Sequence, residues 1–279
     1  MKDLVVHVDS SAHCMARIEL AARLAGNFGA HLHGVYGQHA FVMPPDYASM
    51  PSLDSMQGLE AAAITAPEQI EYNAQAARAD EQAAEQIFRR VTASNKAMSQ
   101  WYAMAGSAAD VVVAFSRYAD LAVVGQTLVG GEEIAAEVAL RSGRPVLVVP
   151  DVGNIPSSIK RVLVAWDASR EAARALNDAL PLLQWANLVT VLTVGVAEQA
   201  PPGMHIGEHL KRHGIDAELV EADDAELDAG HAVLARAANL TCDLIVMGAY
   251  GHSRLRERML GGTTHHVLKH MESPLLISH

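Results

Sequence analysis

The 279-residue chain carries 32 acidic against 21 lysine and arginine side chains, a formal net charge of −11, which leaves no general basic face for nucleic acid. Half of its residues are hydrophobic, enough to fill one large core or two of ordinary size. Cys14 and Cys242 lie far apart and beside separate predicted elements, so no disulfide is expected; with no signal-type leader and no run near the ~18 apolar residues of a membrane span, the expectation is a cytoplasmic protein without a membrane partner.

Residues 2–9 (KDLVVHVD) read as an apolar strand closed by Asp9, followed by Ser10-Ser11 and a helical pattern, and residues 30–37 (AHLHGVYG) as a second strand. Residues 39–65 look like an insertion, with Pro44, Pro45, Pro51, Met43, Met50 and Met56. They read as a surface loop, with a lid or partner-docking loop as the alternative. A long helix is expected to open at Thr65-Ala66-Pro67-Glu68, a capping box with Pro in the first turn. Its apolar anchors Ile87, Phe88 and Val91 come only near its end. ADLAVVG (119–125) and PVLVVP (145–150) read as the fourth and fifth strands. Between them no glycine stands three after Gly125, and Glu132 and Glu133 occupy the place where anion donors would be wanted. Two carboxylates there repel a phosphate.

A linker rich in Pro, Gly and Ser (149–160) follows, and then the opening phrase recurs as KRVLVAWD, 160–167. Ser169 is a candidate N-cap, and Ala173, Leu176, Leu180 and Leu183 share one helical face. Pro181 is expected to end or kink that helix early. LVTVLTVGV (188–196), CDLIVMG (242–248) and PLLIS (274–278) repeat the second, fourth and fifth strands. Strands alternating with helices, without hairpin signals, imply parallel pairing with right-handed crossovers. The expectation is two similar α/β domains, 1–150 and 156–279, each with a five-stranded parallel sheet. Their apolar fifth strands are expected to pair across a pseudo-twofold, burying two sheet edges at once.

The densest chemistry is in residues 242–264, CDLIVMGAYGHSRLRERMLGGTT. A buried-strand run, Leu244 to Met247, leads to Gly248 and Gly251. A spacer bearing Arg254, Arg256 and Arg258 then reaches Gly261-Gly262-Thr263-Thr264, which opens an amphipathic segment. Strand, glycine loop and helix start together bring backbone N–H groups and partial positive charge up to an anion, here a nucleotide phosphate.

Other motifs carry less. His205, His209 and His213 form an i, i+4, i+8 stripe, read as a solvated face with a metal or pH-sensing stripe as the alternative. His266 and His270 are four apart, but Val267 stands where a metalloprotease helix needs Glu. His205-Ile206-Gly207-Glu208 fails a class I synthetase signature at Glu208, and no dinucleotide fingerprint, P-loop or hydrolase elbow is present. Cys242 reads as core, and Glu221, Asp223, Asp224 and Glu226 as a solvated acidic loop.

The loop GAYGHSRLRERMLGGTTHHVL resembles the G-2x-G-9x-G-(S/T) nucleotide loop of the universal stress protein family. The strand-one phrases ending in Asp9 and Asp167, and the PVLVVP and PLLIS termini, are similar to the same family. The chain therefore looks like a tandem member over both halves, outside 39–65. The resemblance implies two tandem Rossmann-like (HUP-type) domains and an ATP site in the second. It sets Asp167, with Ala165 beside it, at the adenine, Val194 on the base, and Met247 and Gly248 along the ribose. Gly251, Gly261, Gly262, Thr263 and Thr264 would hold the phosphates, with His252 and the three arginines near the outer ones. Two departures stand out: Gly262 replaces the usual Ser or Thr, and Trp166 is bulky beside Asp167.

The function implied is a stress-response sensor or switch binding ATP or another adenine nucleotide, with or without Mg²⁺. No placed general base is evident, so any hydrolysis would be slow. The alternative is a nucleotide-free interaction module recruiting unidentified protein partners. A nucleotidyl-transfer enzyme is a third reading, for which no catalytic constellation is visible. Assembly is expected as a homodimer or as an intramolecular pseudo-dimer.

Overall fold

The computed structural model describes residues 1–38, 56–126, 134–153, 155–193, 205–222, 228–251 and 262–279, with side chains omitted for 56–70. The short apolar runs become the central strands: β1 (Asp3–His7), β4 (Leu121–Gly125), β5 (Val146–Val149), β6 (Arg161–Trp166), β9 (Leu244–Gly248) and β10 (Leu275–Ser278). Their side chains are buried on both faces because helices cover the sheet from both sides. Flanking them are β2 (His31–Gln38), β3 (Met98–Ala105), β7 (Leu188–Thr193) and β8 (Ala217–Glu221).

Among the described residues ten strands form one sheet in the order β3-β2-β1-β4-β5-β10-β9-β6-β7-β8. Each half is parallel throughout, and the halves join where β5 and β10 pair antiparallel, Leu147 opposite Leu276. The expected edge-burying joint is therefore present, and a pseudo-twofold passes through that pair. One consequence is that the C-terminal strand ends of the two halves point to opposite edges of the layer.

Alternation along each strand feeds two cores. On one face lie α1 (Cys14–Phe28), α2 (Met56–Ser94), α5 (Arg170–Leu183) and α6 (Ile206–Arg212), packed over Leu4, Val6, Val162 and Val164. On the other lie α3 (Ala108–Ser116), α4 (Ile134–Ser142), α7 (Ala229–Asn239) and α8 (Gly262–His270), over Val5, Val124, Leu163 and Ile245. Across the joint Phe28 stacks on Trp185 at 4.1 Å. Gln126 also links the halves, donating from Nε2 to the Leu268 carbonyl at 2.6 Å while its Oε1 accepts from the Asp151 N–H at 3.0 Å.

Two expectations need correction. The long helix begins at Met56, not at Thr65, because MQGLEAAAITA is itself built of good helix formers, and Pro67 falls inside it. Residues 56–65 are thus helix rather than loop, while 39–55 lie outside the described residues. Pro181 does not end its helix early: α5 runs to Leu183, and the Gln184 N–H closes the last turn on the Leu180 carbonyl at 3.0 Å. A proline so near the end removes a single donor from the helix ladder, which the neighbouring bonds tolerate.

Both cysteines are free and buried, and burial pushes the Cys242 thiol up to about 11, as suits a core residue rather than a nucleophile. Among the described residues no helix is long and apolar enough to cross a membrane.

Candidate functional site

From β6 the chain runs outward to β7 and later returns to β9 on the other side, so the connections leaving the adjacent strands β6 and β9 diverge to opposite faces. A crevice at the carboxyl ends of such strands is where open α/β sheets take ligands. Here it is a cavity of about 370 Å³ walled by the ends of β6 and β9 and by parts of α5, α7 and α8.

The β6 wall comes from Ala165, Trp166 and Asp167. Trp166 points toward the α5 face, packing partly into that core, while Ala165 joins the opposite one. Asp167 is exposed, and its Oδ1 accepts the Ser169 N–H at 2.9 Å, forming a turn in which Ala168 adopts φ +61°. Ser169 then caps α5, its Oγ accepting the Ala172 N–H at 3.1 Å. The positive end of α5 is thereby aimed along the cavity.

The β9 wall explains its glycines. A Cβ on Gly248 would lie 2.5 Å from the Ala172 nitrogen and 2.6 Å from the Glu171 carbonyl carbon, so strand end and helix start are in backbone contact. A Cβ on Gly251 would lie 2.7 Å from Glu171 Oε2. Beyond them α8 begins at Gly262, and its first turn presents N–H groups that the helix cannot pair internally. Thr264 is buried, and its Oγ1 accepts the Tyr250 N–H at 3.4 Å. Half-buried Thr263 lines the same cavity.

Glu171 is the residue the sequence reading missed. It is only 9% exposed, in the first turn of α5, with Oε1 held by Arg170 at 2.8 Å and Oε2 beside Gly251. Burial works to raise its pKa, but its backbone N–H, Arg170 and His279 prevail and hold it below the ordinary carboxylate value. It is therefore an anion at neutral pH. The signal was available, since a Glu two residues after an N-cap at the end of strand one must sit at the mouth of any crevice there.

Of the predicted site residues, Ala165, Asp167, Met247, Gly248, Gly251, Gly262, Thr263 and Thr264 all line this one cavity. Val194, His252 and Gly261 lie outside the described residues, as do Arg254, Arg256 and Arg258. Besides Glu171, sequence reasoning also missed Ala172, Ala229, Val233 and Tyr250, which the cavity draws from α5, from α7 and from the turn after β9. The neighbouring α7 and α8 bring His231 against His266, their ring centroids 4.0 Å apart, and His266 against His270 at 4.5 Å. The expected stripe on α6 has His209 and His213 in edge contact at 4.8 Å, with His205 exposed at its start.

At the corresponding place in the first half, the strand-one aspartate is engaged by the protein itself. Arg17, buried under β1, donates from Nε to the His7 carbonyl at 2.8 Å and sets Nη2 2.9 Å from Asp9 Oδ2. A side chain on Gly125 would run into its Nη1. Burial works to raise the Asp9 carboxyl, but Arg17, His7 and Ser11 outweigh it and hold the group at about 2. The expectation that this half lacks an anion site rested on the missing glycine three after Gly125 and on Glu132 and Glu133, which lie outside the described residues. Arg17 and Asp9 add a separate observation: the aspartate that corresponds to Asp167 is held in an internal ion pair.

Residues 158–279 match the model of the universal stress protein family. Over 141 residues the chain is 31% identical to universal stress protein Slr1230 of Synechocystis, a match covering 48% of this chain and 46% of that protein. The chain thus spans about half the length of that relative. Among solved structures it is similar to a universal stress protein from Archaeoglobus fulgidus, at a TM-score of 0.67 and 16% identity, over 99% of this chain and 97% of that one. A functionally unknown protein from Pseudomonas aeruginosa gives a TM-score of 0.59 at 12% identity, over 100% and 92% of the two chains. At these identities the likeness speaks for the fold alone.

Proposed function

We propose that residues 158–279, which match the universal stress protein family, bind an adenine nucleotide, ATP together with Mg²⁺, as a sensor or switch. The observation that carries the proposal is the single cavity shared by every described residue of the expected site, set between the starts of two helices. In this reading the base lies by Ala165 and Asp167 and the ribose along Met247 and Gly248. The phosphates meet Gly251 and the first turn of α8, whose N–H groups and helix dipole favour an anion.

Glu171 shapes the choice of ligand. A bare polyphosphate beside Gly251 faces an ionised carboxylate, so the favoured form is one whose charge a hard divalent cation offsets. Mg²⁺ takes oxygen ligands, and Glu171 Oε2 is the side-chain oxygen that would meet it. With its pKa held low Glu171 is a weak base, consistent with binding and release rather than fast turnover.

Calorimetry with ATP in MgCl₂ tests the proposal, which expects one saturable site per chain that is lost on Gly251→Asp. A second reading, a nucleotide-free interaction module, draws on the same Glu171 and on the missing hydroxyl at Gly262. It expects no binding heat with or without Mg²⁺.

A further inference from the structure

Where α7 meets α8, beside the cleft, the structure gathers three side chains that the nucleotide reading does not use. Asp228 stands at the N-cap of α7, yet its carboxylate makes no capping bond. It turns instead to His231, three residues on and on the same helical face, with Oδ2 3.8 Å from Nδ1. Opposite them on α8 is His266, its ring 4.0 Å from that of His231 and inclined by 38°. Gly230 makes this approach possible, because a Cβ there would lie 2.9 Å from His266 Cδ2.

We propose that Asp228, His231 and His266 form a site for a divalent transition-metal ion of the zinc class, bridging α7 and α8. One ligand atom from each residue lies within 4.8 Å of the others. Zinc with N and O ligands at about 2.0–2.2 Å needs those atoms roughly 3.4 Å apart. The remaining closure falls to Asp228 and His231, which are more than half exposed and able to swing inward. Two imidazoles and one carboxylate suit zinc, nickel, cobalt or copper and do not suit magnesium or calcium, with water completing the shell.

On α8, His270 Nδ1–H donates to the His266 carbonyl at 2.9 Å, and its ring lies 4.5 Å from that of His266. None of the three residues lines the nucleotide cavity, so the site stands whether or not that cavity binds ATP.

The test uses the untagged, chelator-stripped, nucleotide-free full chain, titrated with Zn²⁺ by calorimetry and with Co²⁺ by visible absorption. The expected result is one saturable site per chain, weakened at least tenfold by His231→Ala and by His266→Ala and unchanged by His209→Ala. In the wild type, the Cε1–H resonances of His231 and His266 should shift together on adding Zn²⁺. Circular dichroism of the metal-free variants checks the fold. Should His266→Ala fail to fold, the exposed changes His231→Ala and Asp228→Asn decide the matter with the histidine resonances. Absence of saturable binding, full affinity in His231→Ala, or loss in His209→Ala, which would put the metal on α6, each overturns the proposal.

Discussion

Replacing Glu171 with Gln removes a charge from the nucleotide cleft while keeping the side chain's shape, and its effect on ATP affinity should depend on whether Mg²⁺ is present. A side-chain position on Gly251 lies 2.7 Å from Glu171 Oε2, so a phosphate held by the Gly251 N–H sits close to that carboxylate. Taking about 5 Å between charge centres and an effective dielectric near 20, two unit charges repel by about 3 kcal/mol. The Arg170 contact and the water in the cleft reduce this to about 1–2 kcal/mol, a factor of roughly 5 to 30 in affinity. The assay is calorimetric titration of both proteins with ATP, once in EDTA and once in MgCl₂. Wild type should bind at least tenfold more tightly with Mg²⁺, whereas Glu171→Gln should bind free ATP about tenfold more tightly than wild type and gain little from the cation. If the variant and wild type bind free ATP equally, the placement of the phosphates beside Gly251 is wrong.

Asp9 makes a prediction in pH. Its folded pKa of about 2 lies below the ordinary 3.8, so the stabilisation is fully present above about pH 4 and is lost as pH falls toward 2. Asp9→Asn leaves Arg17 buried without its counter-charge and should cost about 3 kcal/mol in urea unfolding at pH 7, the gap to wild type narrowing toward pH 2. Gly251→Asp sets a second carboxylate against Glu171 and should abolish ATP binding at millimolar ligand, measured by calorimetry. Gly125→Ala collides with Arg17 in the other half and should lower the thermal midpoint with nucleotide affinity unchanged. A double-mutant cycle on Phe28→Ala and Trp185→Ala should return a coupling of about 0.5–1.5 kcal/mol from the stack that joins the halves.

The central strands were legible because burial on both faces forces an unbroken apolar run, and β1, β4, β6 and β9 each have one. The sheet's outer members β3 and β8 were not located from their residues. At the ends of the sheet they keep mostly exposed or half-exposed side chains, Leu219 among them, and need no such run. Glycine spacing pointed to the cleft because close backbone approach leaves no room for Cβ, as the contact between Gly248 and the start of α5 shows. Glu171 stayed hidden among many acidic residues: its place two residues after the Ser169 N-cap set it at the crevice mouth, but the Gly251 contact that gives it weight arises from a crossing of β9 and α5. Arg17 was missed for the same reason: a basic residue on an apolar helix face reads as an exception until Asp9 is seen opposite.

The antiparallel joint between β5 and β10 has a historical consequence for the two crevices. Two identical subunits meeting through such an edge would have to accept each substitution on both sides of the axis, and neither crevice could change without the other. Here the partners are successive stretches of one polypeptide, so each position mutates alone. That independence let the two strand-one aspartates diverge, Asp9 paired with Arg17 and Asp167 left exposed.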